Sequence, residues 1–159
     1  MDIGVDLDRV KEVALHLAQR GPEWKVLLVG PTQGTGVRAP IIRRLSRCSN
    51  IEVRDPMPLD ALTLEETLAA LLPYRRCSIT DAVTLANKSM QLLARGLPLL
   101  ISAMPRYLEA PFVVRLDGSG GTAGAVSAAV ERFDALQGPI ADYCAANAPE
   151  SRLQRLVST

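Results

Sequence analysis

Lys88 opens a segment whose residue types could hold an anion. Asn87, Lys88, Ser89 and Gln91 gather polar donors at the start of a helix that the spacing predicts to end at Gly96, directly before a buried strand at Leu97–Ser102. A helix start presents backbone N–H groups without intrahelical partners, together with the positive end of the helix dipole. A lysine added there makes a phosphate site, so the expected ligand is a phosphorylated small molecule. The competing reading on spacing alone is a solvated lysine with Asn87 as an ordinary N-cap. Gly96 reads as the left-handed residue just past the helix, and Pro98 as the stop that keeps the helix from continuing.

A second candidate is the run Gly34-Thr35-Gly36-Val37-Arg38-Ala39, which matches G-x-G-x-x-A between a strand and a helix. Glu52 and Asp55 follow at roughly the distance of a ribose-binding acid. Against a dinucleotide site, Pro31-Thr32-Gln33 separate the strand end from Gly34, whereas the fingerprint places its first glycine at the strand end. A Walker loop is excluded because no lysine follows Gly36. A plain turn remains open here. So does close approach of a ligand to the backbone of Gly34 and Gly36, with Arg38 meeting phosphate.

Other polar groups have plainer readings. Gly118-Ser119-Gly120-Gly121 connects a strand to a helix and could contact ligand, with Asp117 beside it reaching a sugar hydroxyl. His16 falls on the polar side of an early helix. Glu65 and Glu66 read as a solvated first turn, with Thr63 and Glu66 spaced as a capping box. Arg43, Arg44 and Arg47 form a basic face suited to solvent, anionic lipid or a partner domain.

The chain has 159 residues, 48% apolar and 22% charged, with a formal net charge of +1, which fits one domain over 1–159 and one core. Such a balance lacks the positive excess that non-specific nucleic-acid binding needs. Cys48, Cys77 and Cys144 are odd in number and far apart, so neither a disulfide framework nor a metal site is expected. The cytoplasm is the expected compartment. No apolar run approaches the roughly 20 residues of a membrane span.

Positioning these groups falls to alternating helices and strands. Strands are predicted at Trp24–Val29, Ile51–Val53, Cys77–Thr80, Leu97–Ser102 and Phe112–Leu116. Helices are predicted over 7–20, 37–48, 59–72, 87–95, 123–136, 139–146 and 151–157, the first carrying Val10, Val13, Ala14 and Leu17 inward. The expected fold class is therefore α/β, a parallel sheet with helices on both faces. Ligands in such folds collect at the carboxyl ends of the strands.

Three stretches together resemble the C-terminal, donor-binding domain of a GT-B glycosyltransferase: WKVLLVGP, SNIEVRDPMPLDAL and LANKSMQLLARGLPLLISAMP. The Lys88-x-x-Gln91 spacing is most similar to bacterial exopolysaccharide enzymes such as the xanthan-pathway glucuronosyltransferase. The resemblance implies a Rossmann-like half of a GT-B enzyme that takes a nucleotide-diphosphate sugar, UDP-linked above all, as donor substrate and uses no cofactor or metal. It implies that Lys88 meets the diphosphate and Gln91 the phosphate or sugar, while Arg54, Asp55 and Met57 form the turn beside the base. This sequence departs from the family in three respects. No glutamate occupies 81–95, the strand that usually precedes the first helix is missing, and so is the N-terminal acceptor domain. The expected partners are a nucleotide-sugar and an acceptor domain or subunit, with peripheral membrane association of the complete enzyme as a further option. A dinucleotide-binding module and a non-catalytic interaction domain are the alternatives.

Overall fold

The computed structural model describes residues 4–30, 38–86 and 88–148. Asn87 and the glycine stretch with Gly34 and Gly36 lie outside the described residues, as do the side chain of Arg38 and the helix expected over 151–157. The chain is Rossmann-like α/β, with parallel strands flanked by helices. Its residues cluster into two compact units, one formed by 5–66 and the other by 1–4 with 67–159.

In the unit 5–66, helix α1 (Leu7–Ala18) starts at Asp6, whose carboxylate accepts the Arg9 N–H at 3.2 Å as an N-cap. Val10, Val13, Ala14 and Leu17 are buried at helical spacing, as the sequence predicts. Strand β1 (Val26–Val29) and strand β2 (Ile51–Arg54) pair in parallel, with Val26 opposite Ile51 and Val29 opposite Arg54. Helix α2 (Arg38–Leu45) lies between them in sequence, completing a β-α-β unit. An Asn50 side-chain amide donates to the Ala14 carbonyl, tying the turn before β2 to α1.

In the other unit, β3 (Ala70–Pro73), β4 (Leu99–Ser102) and β5 (Val113–Arg115) form a parallel sheet in that order. All of β4 is buried, Leu99 and Ile101 completely, because it is the central strand and is covered on both faces. Helix α5 (Gly121–Ala146) packs against β5 and β4 and buries Ala125, Val126, Ala129, Leu136 and Ile140.

Several expected elements change type. The described strands form a two-stranded and a three-stranded sheet rather than one continuous sheet. Residues 59–72, expected as a helix, hold a single 3₁₀ turn at Leu59–Ala61 and then β3. Short apolar runs such as Leu68 to Leu72 carry no period that separates helix from strand, and pairing with Leu99–Ser102 decides the outcome here. Thr63 and Glu66 accordingly do not start a helix, and Glu65 and Glu66 sit in an exposed turn. Cys77–Thr80, expected as a strand, instead begins the short helix α3 (Ser78–Ala82). The Cys77 sulfur takes the N-cap role and accepts from the backbone of Thr80, while the Thr80 hydroxyl accepts the Cys77 N–H at 2.8 Å.

The two helices expected on either side of Gly138-Pro139 are one. Proline removes a donor and leaves the carbonyl of Ala135, four residues back, without its helical partner. Ala135 is exposed, and Gly138 offers no Cβ for the proline ring to meet. Burial of Leu136 and Ile140, with the Phe112–Tyr143 ring contact at 5.2 Å, holds both halves on the same core.

Candidate functional site

The crossover from β3 to β4 carries the predicted lysine. Lys88 is exposed and has helical backbone angles immediately before helix α4 (Ser89–Leu93). Among the described residues no carboxylate forms an ion pair with it. Gln91, three residues on and hence on the same side of the helix, is exposed as well. Ser89 does the opposite: it is fully buried, and its hydroxyl is hydrogen-bonded to the phenol of Tyr107.

The helix itself is five residues long, far shorter than the run 87–95 suggested. Its macrodipole is correspondingly small, and the Ser89 N–H already donates to the Ala86 carbonyl at 2.9 Å. Positive charge at this place therefore comes from the Lys88 ammonium and little from the helix. The helix ends as expected. Gly96 has φ +75°, its N–H donates to the Leu93 carbonyl at 2.8 Å, and the Leu97 N–H reaches back to Leu92 at 3.2 Å, the paired bonds of a Schellman motif.

Beyond the end of β4, Ala103 adopts φ +55°, a left-handed conformation that costs a residue with a Cβ. Asp117 holds it there. One carboxylate oxygen accepts the Ala103 N–H at 2.9 Å and an Arg115 Nη2 donor at 3.0 Å, and the other accepts Arg115 Nε at 2.9 Å. Partial burial pushes the Asp117 carboxyl up, but the Ala103 N–H and the charge and donors of Arg115 outweigh it and hold it below the ordinary carboxylate range. Arg115 also donates to the Met104 carbonyl at 2.6 Å. Asp117, read from sequence as a candidate for a sugar hydroxyl, has both oxygens engaged in this clamp. Beside it, Gly118 and Gly120 are exposed, and Gly121 begins α5 with φ +58°.

Tyrosines form the part that sequence reasoning missed. Tyr107 is buried, and Tyr74, just past β3, is half-buried, with its phenol raised above the usual value by burial and then by nearby Tyr107. The Ser102 hydroxyl donates to the Tyr74 carbonyl at 3.0 Å. Cys77 and Cys144 diverge: hydrogen bonds from the backbone and hydroxyl of Thr80 lower the Cys77 thiol, and burial raises that of Cys144.

In the unit 5–66 the parallel register brings the ends of β1 and β2 together, with the Gly30 N–H donating to the Arg54 carbonyl at 3.0 Å. Gly30 and the turn Arg54–Met57 thus lie at the same end of the two strands. Arg54 pairs with Glu52 through Nε and Oε1 at 2.6 Å, both side chains being nearly half exposed. Asp55 is exposed and Met57 half-buried. His16 is half-exposed on the last turn of α1, and Arg43, Arg44 and Arg47 are exposed.

Among the described residues no cluster of His, Cys, Asp and Glu could hold a metal ion, and no helix is long and apolar enough to cross a membrane. Comparison with protein-family models, with curated proteins and with solved structures finds no match to this chain.

Proposed function

We propose that this chain is the nucleotide-sugar-binding half of a cytoplasmic GT-B-type glycosyltransferase of polysaccharide or glycoconjugate synthesis, with a UDP-sugar as its donor. One observation carries the reading: an exposed Lys88, without an ion-pair partner among the described residues, stands in the crossover between two parallel strands, in a segment closed by the left-handed Gly96 and Pro98. An ammonium group in that place attracts a diphosphate, and it offsets the negative charge that grows on the departing nucleoside diphosphate as the sugar transfers. Gln91, on the same side of α4, donates to a phosphate oxygen or a sugar hydroxyl. These residues bind the donor, and transfer draws in addition on acceptor-binding groups.

Calorimetric titration with UDP, GDP and their sugars tests this. Binding is expected in wild type, weakened about tenfold or more by Lys88→Ala, the cost of one charge-assisted contact, and weakened also by added salt. Equal silence from both proteins defeats the reading.

The parallel β1–β2 pair around α2 supports a second reading, a dinucleotide site at the edge where Gly30 meets Arg54. It predicts thermal protection by NAD(P) that Gly34→Val abolishes and Lys88→Ala leaves intact. The Glu52–Arg54 ion pair weighs against it, since it occupies one of the two acids that would hold the ribose.

A further inference from the structure

We propose that Tyr107 is a positioning residue that holds the entry of α4, and through it Lys88, in one conformation. The inference rests on the reading of Lys88 given above for its consequence in binding, but its structural content stands apart from any ligand.

A five-residue helix does not hold itself together in water, because its few hydrogen bonds do not repay the cost of nucleation. Something outside α4 must fix it. Two ties come from the segment that follows β4, and they flank Lys88 on both sides in sequence. The Leu108 N–H donates to the Thr84 carbonyl at 2.9 Å, ahead of the lysine, and the Tyr107 phenol is hydrogen-bonded to Ser89, immediately after it. Both hydroxyls of that second tie are in buried residues, Ser89 at 0% and Tyr107 at 4% exposure. Removing one leaves the other without a partner and without water, so the bond is costly to break.

The segment that supplies these ties is itself braced. Its first residue, Ala103, is pinned by Asp117, and the Met104 carbonyl accepts both Arg115 Nη1 at 2.6 Å and the Tyr107 N–H at 3.0 Å. A line of hydrogen bonds thus runs from β5 through 103–108 to the residue beside Lys88. A lysine is a point charge on a flexible stem, and its pull on a diphosphate depends on where its backbone is held. Tyr107 touches no ligand in this arrangement and acts only through Ser89 and Lys88.

The experiment compares wild type, Tyr107→Phe, Ser89→Ala, Lys88→Ala and the double variant Tyr107→Phe/Lys88→Ala, all well below their melting temperatures. Hydrogen exchange reads the tether directly. Tyr107→Phe and Ser89→Ala should each speed exchange of the backbone amides at positions 89 and 92 by about tenfold, after correction for the intrinsic rate of the new residue, and leave the amides of α5 unchanged. Unchanged exchange at positions 89 and 92, or an equal rise throughout α5, overturns the proposal whatever the ligand. UDP titration reads the consequence. Both single variants should weaken binding about three- to tenfold, and Tyr107→Phe should add nothing once Lys88 is gone. Loss of affinity that persists in the Lys88→Ala background overturns the positioning role. Silence of wild type toward UDP and GDP, with exchange responding as expected, removes the reading of function and leaves the tether established.

Discussion

The two units build parallel strands from similar residues and reach different degrees of enclosure. In the three-stranded sheet β4 is buried at every position, whereas β1 and β2 alternate, leaving Leu27 and Val29 more than a third exposed. A parallel sheet needs cover on both faces, and a central strand has it where a two-stranded ribbon does not. The difference also separates the candidate sites. Lys88 hangs from a crossover anchored on a fully packed strand. The turn Arg54–Met57 leaves a strand whose side chains are in large part solvated.

The largest expected effect breaks this contrast at its strongest point. Ile101→Ala should destabilise the protein by about 2–5 kcal/mol in chemical denaturation, and Val29→Ala by less than about 1 kcal/mol, since only the first empties a closed core. Similar losses from both would show that the two sheets are equally enclosed.

An intermediate effect is expected where the crossover is pinned. Gly96→Ala places a Cβ on a backbone with φ +75°, and that atom would stand 2.8 Å from the Gln137 side-chain oxygen. Gln137 can swing aside, but it would then lose its 3.1 Å bond to the Gly96 carbonyl. A cost of about 1–2 kcal/mol follows from the left-handed strain, measured as a fall in the denaturation midpoint with unchanged slope.

The smallest effect concerns acid. Asp117 has a lower pKa folded than unfolded, so the unfolded chain binds more protons between the two values and stability rises with pH across that window. The contribution is complete above the ordinary aspartate value near 4 and disappears as pH falls through the folded value. Asp117→Asn should flatten that part of the acid limb in a pH series of melting temperatures. An unaltered limb would count against the clamp.

How much of this the sequence revealed depends on the range of the interactions involved. The presence and type of α1, β1, β2 and β4, with ends within two residues, and the Gly96 stop follow from local pattern and from chemistry within a few residues. β3 and α3 do not. The run Leu68 to Leu72 is apolar without a period, and its strand character comes from pairing with Leu99–Ser102 far along the chain. α3 is capped by a cysteine, a residue that carries little weight as a helix signal. Lys88 and Gln91 were legible as a pair at helical spacing, but the fate of Ser89 was not, because its partner Tyr107 lies eighteen residues further on.

The Schellman closure at Gly96 has a bearing on how this segment tolerates change in length. It fixes the far end of α4 against β4, so an extra residue placed between Ser89 and Leu93 cannot be absorbed downstream. Each such insertion turns the upstream end by about 100° around the helix axis relative to the far end, so the Ser89–Tyr107 bond cannot survive it. The ammonium of Lys88 would then point in another direction while every strand kept its register. An insertion between Ala82 and Thr84 would leave both ties that flank the lysine, Thr84–Leu108 and Ser89–Tyr107, in place, and with them the lysine's bearing.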